Sequence, residues 1–428
     1  MPGFVKDDCF AHAGKLLLHD EAIALLSGRV EPIGAAESVS LDSVLGRIAS
    51  SPVIAPCDVP PHANSAVDGY AFAYADYDPS SGTSFKLAGR AAAGHPIARS
   101  VPSGSAARIL TGAVLPQGLD TVAMQEDCIL DGDMQTGSSV QVRAGLRHGA
   151  NVRLAGEDVA QDQVLLGAGD FIRPQDIAAL ASVGLSDIRC YRRLRVAIAS
   201  TGDELVQPGS RPPRPGQVYD ANALMLRALV GLAGGELQNL GIWPDRAAIV
   251  QANLAEAAGR CDVVLTSGGA SRSEEDHLAA AIAKLGSRHL WQIAIKPGRS
   301  IMFGQIGDAV VVALPGNPVA VFVCFLLYVW PLLRRLSGAP WPEPRRLLVK
   351  ADFEFKGRKR GRREYWRGRL RRTASGVVAE KYERDGSALI SSLRAADGLI
   401  EIPEDAGDIR RGDDVAFIPL TEFGILDH

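Results

Sequence analysis

Residues 262–276 read DVVLTSGGASRSEED, and the same pattern recurs in 195–205, RVAIASTGDEL, and in 309–319, AVVVALPGNPV. Each is a short apolar run that ends in a Gly-containing polar turn and passes into a helix-compatible segment. Such runs suit strands buried on both faces of a parallel sheet. Ligands of an open α/β sheet bind in the crevice beyond the carboxyl ends of its strands, so the three turns are expected to converge on one site. Gly202, Gly268, Gly269 and Gly316 let the backbone approach a ligand closely, with Ser267, Pro315 and Asn317 beside them. A helix N-terminus behind each turn favours an anion. A phosphate-bearing or oxyanion substrate is the first expectation.

The turns also carry Asp203, Glu204 and Asp276. Carboxylates beside an anion repel it unless a hard divalent cation bridges the two, and Mg²⁺ is commonly held that way. Glu204 and Asp276 are the candidate metal ligands. Each has a plainer reading: Glu204 complements a helix dipole from the first turn, and Asp276 caps the helix that follows.

A chain of 428 residues is too long for a single core and suggests roughly three domains. Its hydrophobic fraction of 46% and net charge of −3 describe an ordinary globular protein. The acidic start MPGFVKDDCF has no apolar signal region. Six scattered cysteines without a CxxC pair offer neither the common zinc spacings nor a disulfide framework, so a reducing cytoplasm is expected. The apolar stretch 319–333, VAVFVCFLLYVWPLL, is shorter than the roughly 20 residues a spanning helix needs. It reads as a buried helix that opens on Pro318.

Around the α/β unit the pattern changes several times. Residues 11–53 look helical, with Leu16, Leu17, Ile23, Leu25 and Leu26 as an apolar stripe. The prolines of APCDVPPHANSAVDGYAF impose an extended loop, and short β-like runs follow to about residue 142. An α-rich pattern returns over 151–184, with a helix start near Pro174. Residues 347–419 alternate strand-like runs with turns, as a small barrel or sandwich would. Between Arg345 and Arg372 stand thirteen basic residues against three acidic ones. The densest part, KGRKRGRRE, reads as a solvated hairpin rim, as a nucleic-acid patch, or as a cationic wall of the anion site supplied across a subunit boundary.

Laid out in this order, PPHANSAVDGYAF, RILTGAVLP, NVRLAGEDV, STGDEL, VYDAN, TSGGAS, IKPGR and LPGNPV resemble the molybdopterin molybdenumtransferase family, which includes the E domain of gephyrin. The resemblance spans nearly the whole chain. It implies an α/β multidomain fold: a central three-layer α/β molybdopterin-binding domain (191–338), a discontinuous helical, elongated domain (11–55 and 148–190), an all-β insertion (56–147) and a C-terminal β-barrel (345–420). It implies a transferase that inserts molybdate into adenylylated molybdopterin with Mg²⁺ and releases AMP. A head-to-tail homodimer is implied, and an adenylyltransferase and recipient molybdoenzymes are implied partners. Neither a membrane nor a nucleic acid is expected.

By matching position the resemblance marks Asp68, Asp158, Glu204 and Asp276 as catalytic, and Thr111, Arg153, Asp245, Lys296 and Arg299 as binding groups. Ser271, Arg367 and Ser387 align with groups that hold molybdate. Asp68 is also readable as an Asx turn before Gly69. Three departures stand out: Ala270-Ser271-Arg272-Ser273 where relatives write GGVSxG, Gln292 near a usual Lys, and Ser300 where Pro usually follows KPG[KR]. They leave a second reading open, a paralogue that binds or delivers the cofactor without efficient insertion.

Overall fold

A computed structural model of the chain describes residues 16–132, 138–269, 277–374 and 376–426. Its centre is a six-stranded sheet in the order Glu236–Trp243, Arg195–Thr201, Val263–Ser267, Ala309–Leu314, Ser300–Ile306, Ser287–Gln292. The three runs quoted above are direct neighbours and run parallel, with Val196 beside Val263 and Val263 beside Val310. The last two strands run antiparallel, which the sequence reading did not anticipate.

The alternation of side chains explains the three layers. Val196, Ile198, Val263, Leu265, Val310 and Val312 face one side and pack on helices Ala221–Leu232 and Pro318–Cys324. Ala197, Ala199, Val264, Val311 and Ala313 face the other, where helices Ala247–Arg260 and His277–Leu285 sit. A strand with apolar residues on both faces is sandwiched by helices, and each large side chain so buried contributes about 1.5–3 kcal/mol.

Among the described residues one helix, Pro318–Leu336, is long and apolar enough to cross a membrane, and 83% of its apolar window is buried inside this fold. Its middle, Phe325–Val329, is a π turn, and the Trp330 N–H bonds to the Phe325 carbonyl. Pro331 follows at once and has no N–H to give. The wider turn places the break where the proline would otherwise clash with the preceding turn.

The N-terminal part is less helical than its sequence suggests. Among the described residues α-helix is confined to His19–Arg29, and Ala36–Ser40 forms a strand against Asp187–Tyr191. Pro32 and Gly34 end the helical pattern between them. The α-rich reading of 151–184 reduces in the same way to one helix, Pro174–Ser182. Of the apolar stripe, Leu17 and Leu26 are buried while Leu16 is exposed.

Residues 64–142 supply a six-stranded β-sheet whose inner strands include Gly69–Phe72 and Ser105–Ile109. At the C-terminus Arg363–Thr373, Gly376–Lys381, Leu347–Ala351, Asp414–Pro419 and Gly398–Ile402 pair in that order, and the last closes on the first to form a five-stranded barrel. The short strand Ile295–Lys296 of the α/β unit adds to the barrel beside Arg363 and Glu364. That splice brings the α/β turns and the barrel wall together.

Candidate active site at the junction of sheet and barrel

Ser200, Ser267 and Leu314 stand in register at the carboxyl ends of three adjacent strands. The turns after them are therefore neighbours, and the Gly268 N–H donates to the Leu314 carbonyl at 3.0 Å. Gly268 has φ of +95°, and a Cβ there would lie 2.9 Å from Thr201 Oγ1. Only glycine fits so close to the next turn. Asn222, at the start of helix Ala221–Leu232, clasps two of the turns: its Nδ2 donates to Ser267 Oγ at 2.8 Å and to the Gly316 carbonyl at 2.7 Å. Its Oδ1 is buried and has no hydrogen-bond partner among the described residues.

The turns after Ser267 and Leu314 open onto a cavity of about 580 Å³ between the α/β unit and the barrel, and the turn after Ser200 does not line it. Of the residues singled out in the sequence, Gly269, Lys296, Arg299, Pro315, Gly316, Asn317, Arg367 and Ser387 line it. Arg362, Trp366 and Asp385 also line it, and the sequence reading missed them. Arg362 carried a signal, since it lies in the basic run. Asp385 carried none, being an isolated acid in a polar loop.

The cavity is cationic. Lys296 Nζ is held 3.1 Å from Glu364, a carboxylate only 4% exposed that also accepts from Trp366 Nε1 at 3.0 Å. Arg299 reaches the Gln292 side-chain oxygen at 3.4 Å, so the residue that replaces a usual cation steadies the neighbouring one. Arg367 is 5% exposed, and its guanidinium donates to Ser392 Oγ at 3.0 Å and toward the Gly386 carbonyl at 3.4 Å. No described carboxylate forms an ion pair with it. Burial pulls its pKa below the ordinary arginine value. A buried guanidinium on a cavity wall, with no ion-paired carboxylate among the described residues and only the through-space charge of Asp385 near it, can receive an anion.

A second group of sequence candidates lies apart. Asp68 Oδ1 accepts from both the Thr111 N–H and its hydroxyl. Those hydrogen bonds, the backbone one first, hold the Asp68 carboxyl below the usual range. Arg153 pairs through its backbone with Asn64, and the Asp158 N–H donates to the Val59 carbonyl, which places both beside the prolyl loop. Both side chains are exposed. None of these four residues lines the cavity described above.

The acidic turn is a third station. Asp203 Oδ1 accepts from the Asp245 N–H at 3.2 Å, and Asp245 lies 3.9 Å from His277. Glu204 folds back over Gly202, where a Cβ would meet its carboxylate at 2.3 Å. The described residues hold no cluster of three metal-ligating side chains. Mg²⁺ requires only one or two carboxylates plus waters and substrate phosphate, and Glu204, or Asp203 with Asp245, offers oxygen donors of that kind. Asp276, Ser271 and the altered stretch 270–273 lie outside the described residues.

The basic stretch resolves into separate tasks. Arg358 is buried and donates to the Ala406 and Arg362 carbonyls. Arg363 bridges Asp20, Glu401 and Glu404, tying helix His19–Arg29 to the barrel. Arg362 faces the cavity of its own chain. Lys356, Lys359 and Arg360 remain exposed.

Comparison with known proteins agrees with this layout. Three family models match in chain order: the MoeA N-terminal region (domain I and II) over residues 17–184, a probable molybdopterin binding domain over 197–335, and the MoeA C-terminal region (domain IV) over 350–420. The molybdopterin molybdenumtransferase of Haemophilus influenzae is 35% identical over 387 residues, covering 90% of this chain and 94% of the relative. Molybdopterin molybdenumtransferase 2 of Mycobacterium tuberculosis is 31% identical and covers 94% and 98%. Among solved structures, a molybdopterin biosynthesis MoeA protein from Pyrococcus horikoshii superposes with a TM-score of 0.80 at 29% identity, covering 95% of this chain and 100% of the other. The chain belongs to the molybdopterin molybdenumtransferase family, transferases of molybdenum cofactor biosynthesis.

Proposed function

We propose that this chain inserts molybdate into adenylylated molybdopterin, with Mg²⁺ and release of AMP, and that it does so as a homodimer. The observation that carries the reading is the guanidinium of Arg367, buried and without an ion-paired carboxylate beside Lys296, Arg299 and Ser387. Molybdate is a tetrahedral dianion, and an arginine fork with an ammonium and a hydroxyl beside it suits that shape and charge.

The protein's work in this reaction is positioning and charge neutralisation. Arg367 and Lys296 fix the oxyanion against the barrel wall, and Glu364 keeps the lysine in place. Arg299 guards the open side. The glycine turns bring backbone N–H groups to the pterin nucleotide. Bound Mg²⁺ would neutralise the phosphoanhydride as AMP departs, held by Glu204 with Asp203 or Asp245, and by Asp276 from outside the described residues.

The dimer is supported by separation. Asp68, Thr111, Arg153 and Asp158 share no cavity with Lys296 or Arg367, so a second copy's β-rich segment is needed to join the two groups. An isolated α/β segment would then bind the pterin nucleotide weakly and turn nothing over. Co-expression of Asp68→Asn with Arg367→Ala should restore activity in mixed dimers, because one cleft of each is intact.

The direct test is incubation with adenylylated molybdopterin, Mg²⁺ and molybdate, following AMP and finished cofactor. A carrier that only delivers cofactor would bind the product and release no AMP, and that result would reject the insertion reading.

A further inference from the structure

Among the described residues the cavity wall carries one charge of the wrong sign for an anion. Asp385 lies on its wall among Lys296, Arg299, Arg362 and Arg367. A carboxylate beside an oxyanion repels it, so its presence there calls for a ligand that donates hydrogen bonds.

The position of Asp385 is fixed from two sides. Lys381 Nζ holds its Oδ1 at 2.7 Å. The lysine is itself almost buried, with its ammonium 5.5 Å from the ring centroids of both Phe355 and Trp366. Two residues on, the Ser387 carbonyl accepts the Val319 N–H at 2.9 Å, in the first turn of helix Pro318–Cys324. The loop therefore caps a helix at one end and is tethered to an aromatic clamp at the other. Among the described residues Lys381 is the one ion-pair partner of Asp385, and about four lone-pair sites on an ionised carboxylate leave room for further donors.

We infer that Asp385 reads the pyrimidine edge of the pterin, accepting hydrogen bonds from the 2-amino group and the adjacent ring N–H. This rests on the reading that a molybdopterin substrate enters this cavity. A 2-amino-4-oxopyrimidine presents two N–H donors side by side, which a carboxylate accepts in parallel. The same ligand carries anionic groups away from that edge, and the surrounding cations receive those. One acid among four cations thus sets the direction in which the substrate lies. The volume agrees, since pockets for small organic ligands span about 300–1,000 Å³.

The test uses pterin and lumazine, two bicycles that differ in carrying a 2-amino or a 2-oxo group, titrated by fluorescence into the intact protein. The wild type should prefer pterin by about tenfold or more, since hydrogen bonds to a charged group are worth about that much. Asp385→Asn should lose this preference, because the amide offers one acceptor and one donor. If Asp385 merely tempers the charge of Arg367, the variant binds molybdate more tightly and keeps the pterin preference, which overturns the inference. A wild type that inserts molybdate yet discriminates nothing between pterin and lumazine overturns it too. Failure of the insertion reading looks different: no AMP release, with pterin discrimination intact.

Discussion

Asp68 and Thr111 are joined twice, because a single carboxylate oxygen, Oδ1, accepts both the backbone N–H and the hydroxyl of Thr111, each at 2.7 Å. The pair links the prolyl loop to the turn after strand Ser105–Ile109, and among the described residues it leaves Oδ2 without a hydrogen bond. Both bonds favour the ionised carboxyl and lower its pKa. Thr111→Val keeps the N–H bond and removes the hydroxyl, so the Asp68 pKa should rise. The acid limb of the insertion rate should then move to higher pH, while Asp68→Asn should show no such limb and little turnover. An unmoved limb in Thr111→Val would mean that Asp68 does not titrate in the reaction.

Arg367 gives a prediction with two opposed readouts. Its charge is desolvated with no ion-paired carboxylate among the described residues, which costs stability, and a bound anion would repay that cost. Arg367→Leu should therefore leave the apo unfolding temperature unchanged or higher. The molybdate concentration for half-maximal insertion should rise by about tenfold to a hundredfold, the loss of charge-assisted hydrogen bonds. Arg367→Lys should rescue poorly, since an ammonium lacks the planar fork. A destabilised Arg367→Leu protein with normal molybdate dependence would make the residue structural.

The three strand-turn segments were legible because strands covered on both faces are written as unbroken apolar runs, and each ends in glycine. The antiparallel edge, Ser287–Gln292 and Ser300–Ile306, was not, since its polar residues hide the strand beside KPGR. Leu17 and Leu26 were read as part of a long helix, yet Pro32 and Gly34 stop it and the chain turns into a strand at Ala36. Lys296, Arg299, Arg367 and Ser387 could be found one by one. Their meeting in one cavity depends on strand Ile295–Lys296 joining the barrel at Arg363, a pairing across nearly the length of a domain that no local pattern encodes. Asp385 and the Glu364 beneath Lys296 became visible only through that meeting.

His19 makes stability depend on pH. Its Nδ1 lies 2.8 Å from the Tyr328 hydroxyl, and burial, followed by the nearby Arg363 charge, lowers its pKa from 6.5 to about 4. Between those values the unfolded chain binds more protons than the folded one. Stability present above pH 6.5 is thus lost progressively as pH falls toward about 4. The loss through this one residue is on the order of 3 kcal/mol. His19→Gln can still hydrogen-bond Tyr328 and cannot titrate, so its urea midpoints should fall less steeply over the same pH range. Equal slopes in the two proteins would place the acid sensitivity elsewhere.

Asn222 offers the sharpest test of how the turns are held. Its Nδ2 bridges Ser267 Oγ and the Gly316 carbonyl, while Oδ1 stays buried with no partner among the described residues, at a cost of about 1–3 kcal/mol. A fold that tolerates that cost gains the alignment of two turns lining the ligand. Asn222→Ala removes the clasp and should raise KM for the pterin nucleotide with little change in unfolding temperature. Asn222→Asp should be worse at pH 8, because an ionised carboxylate would face the Gly316 carbonyl with nothing to donate. Burial and that carbonyl both favour the protonated acid, which can donate, so activity of Asn222→Asp should recover relative to wild type as pH is lowered. Asn222→Ala should show no such recovery. If the two variants share one pH profile, the Asn222 donor does not hold the turns, and their alignment comes from the strand register alone.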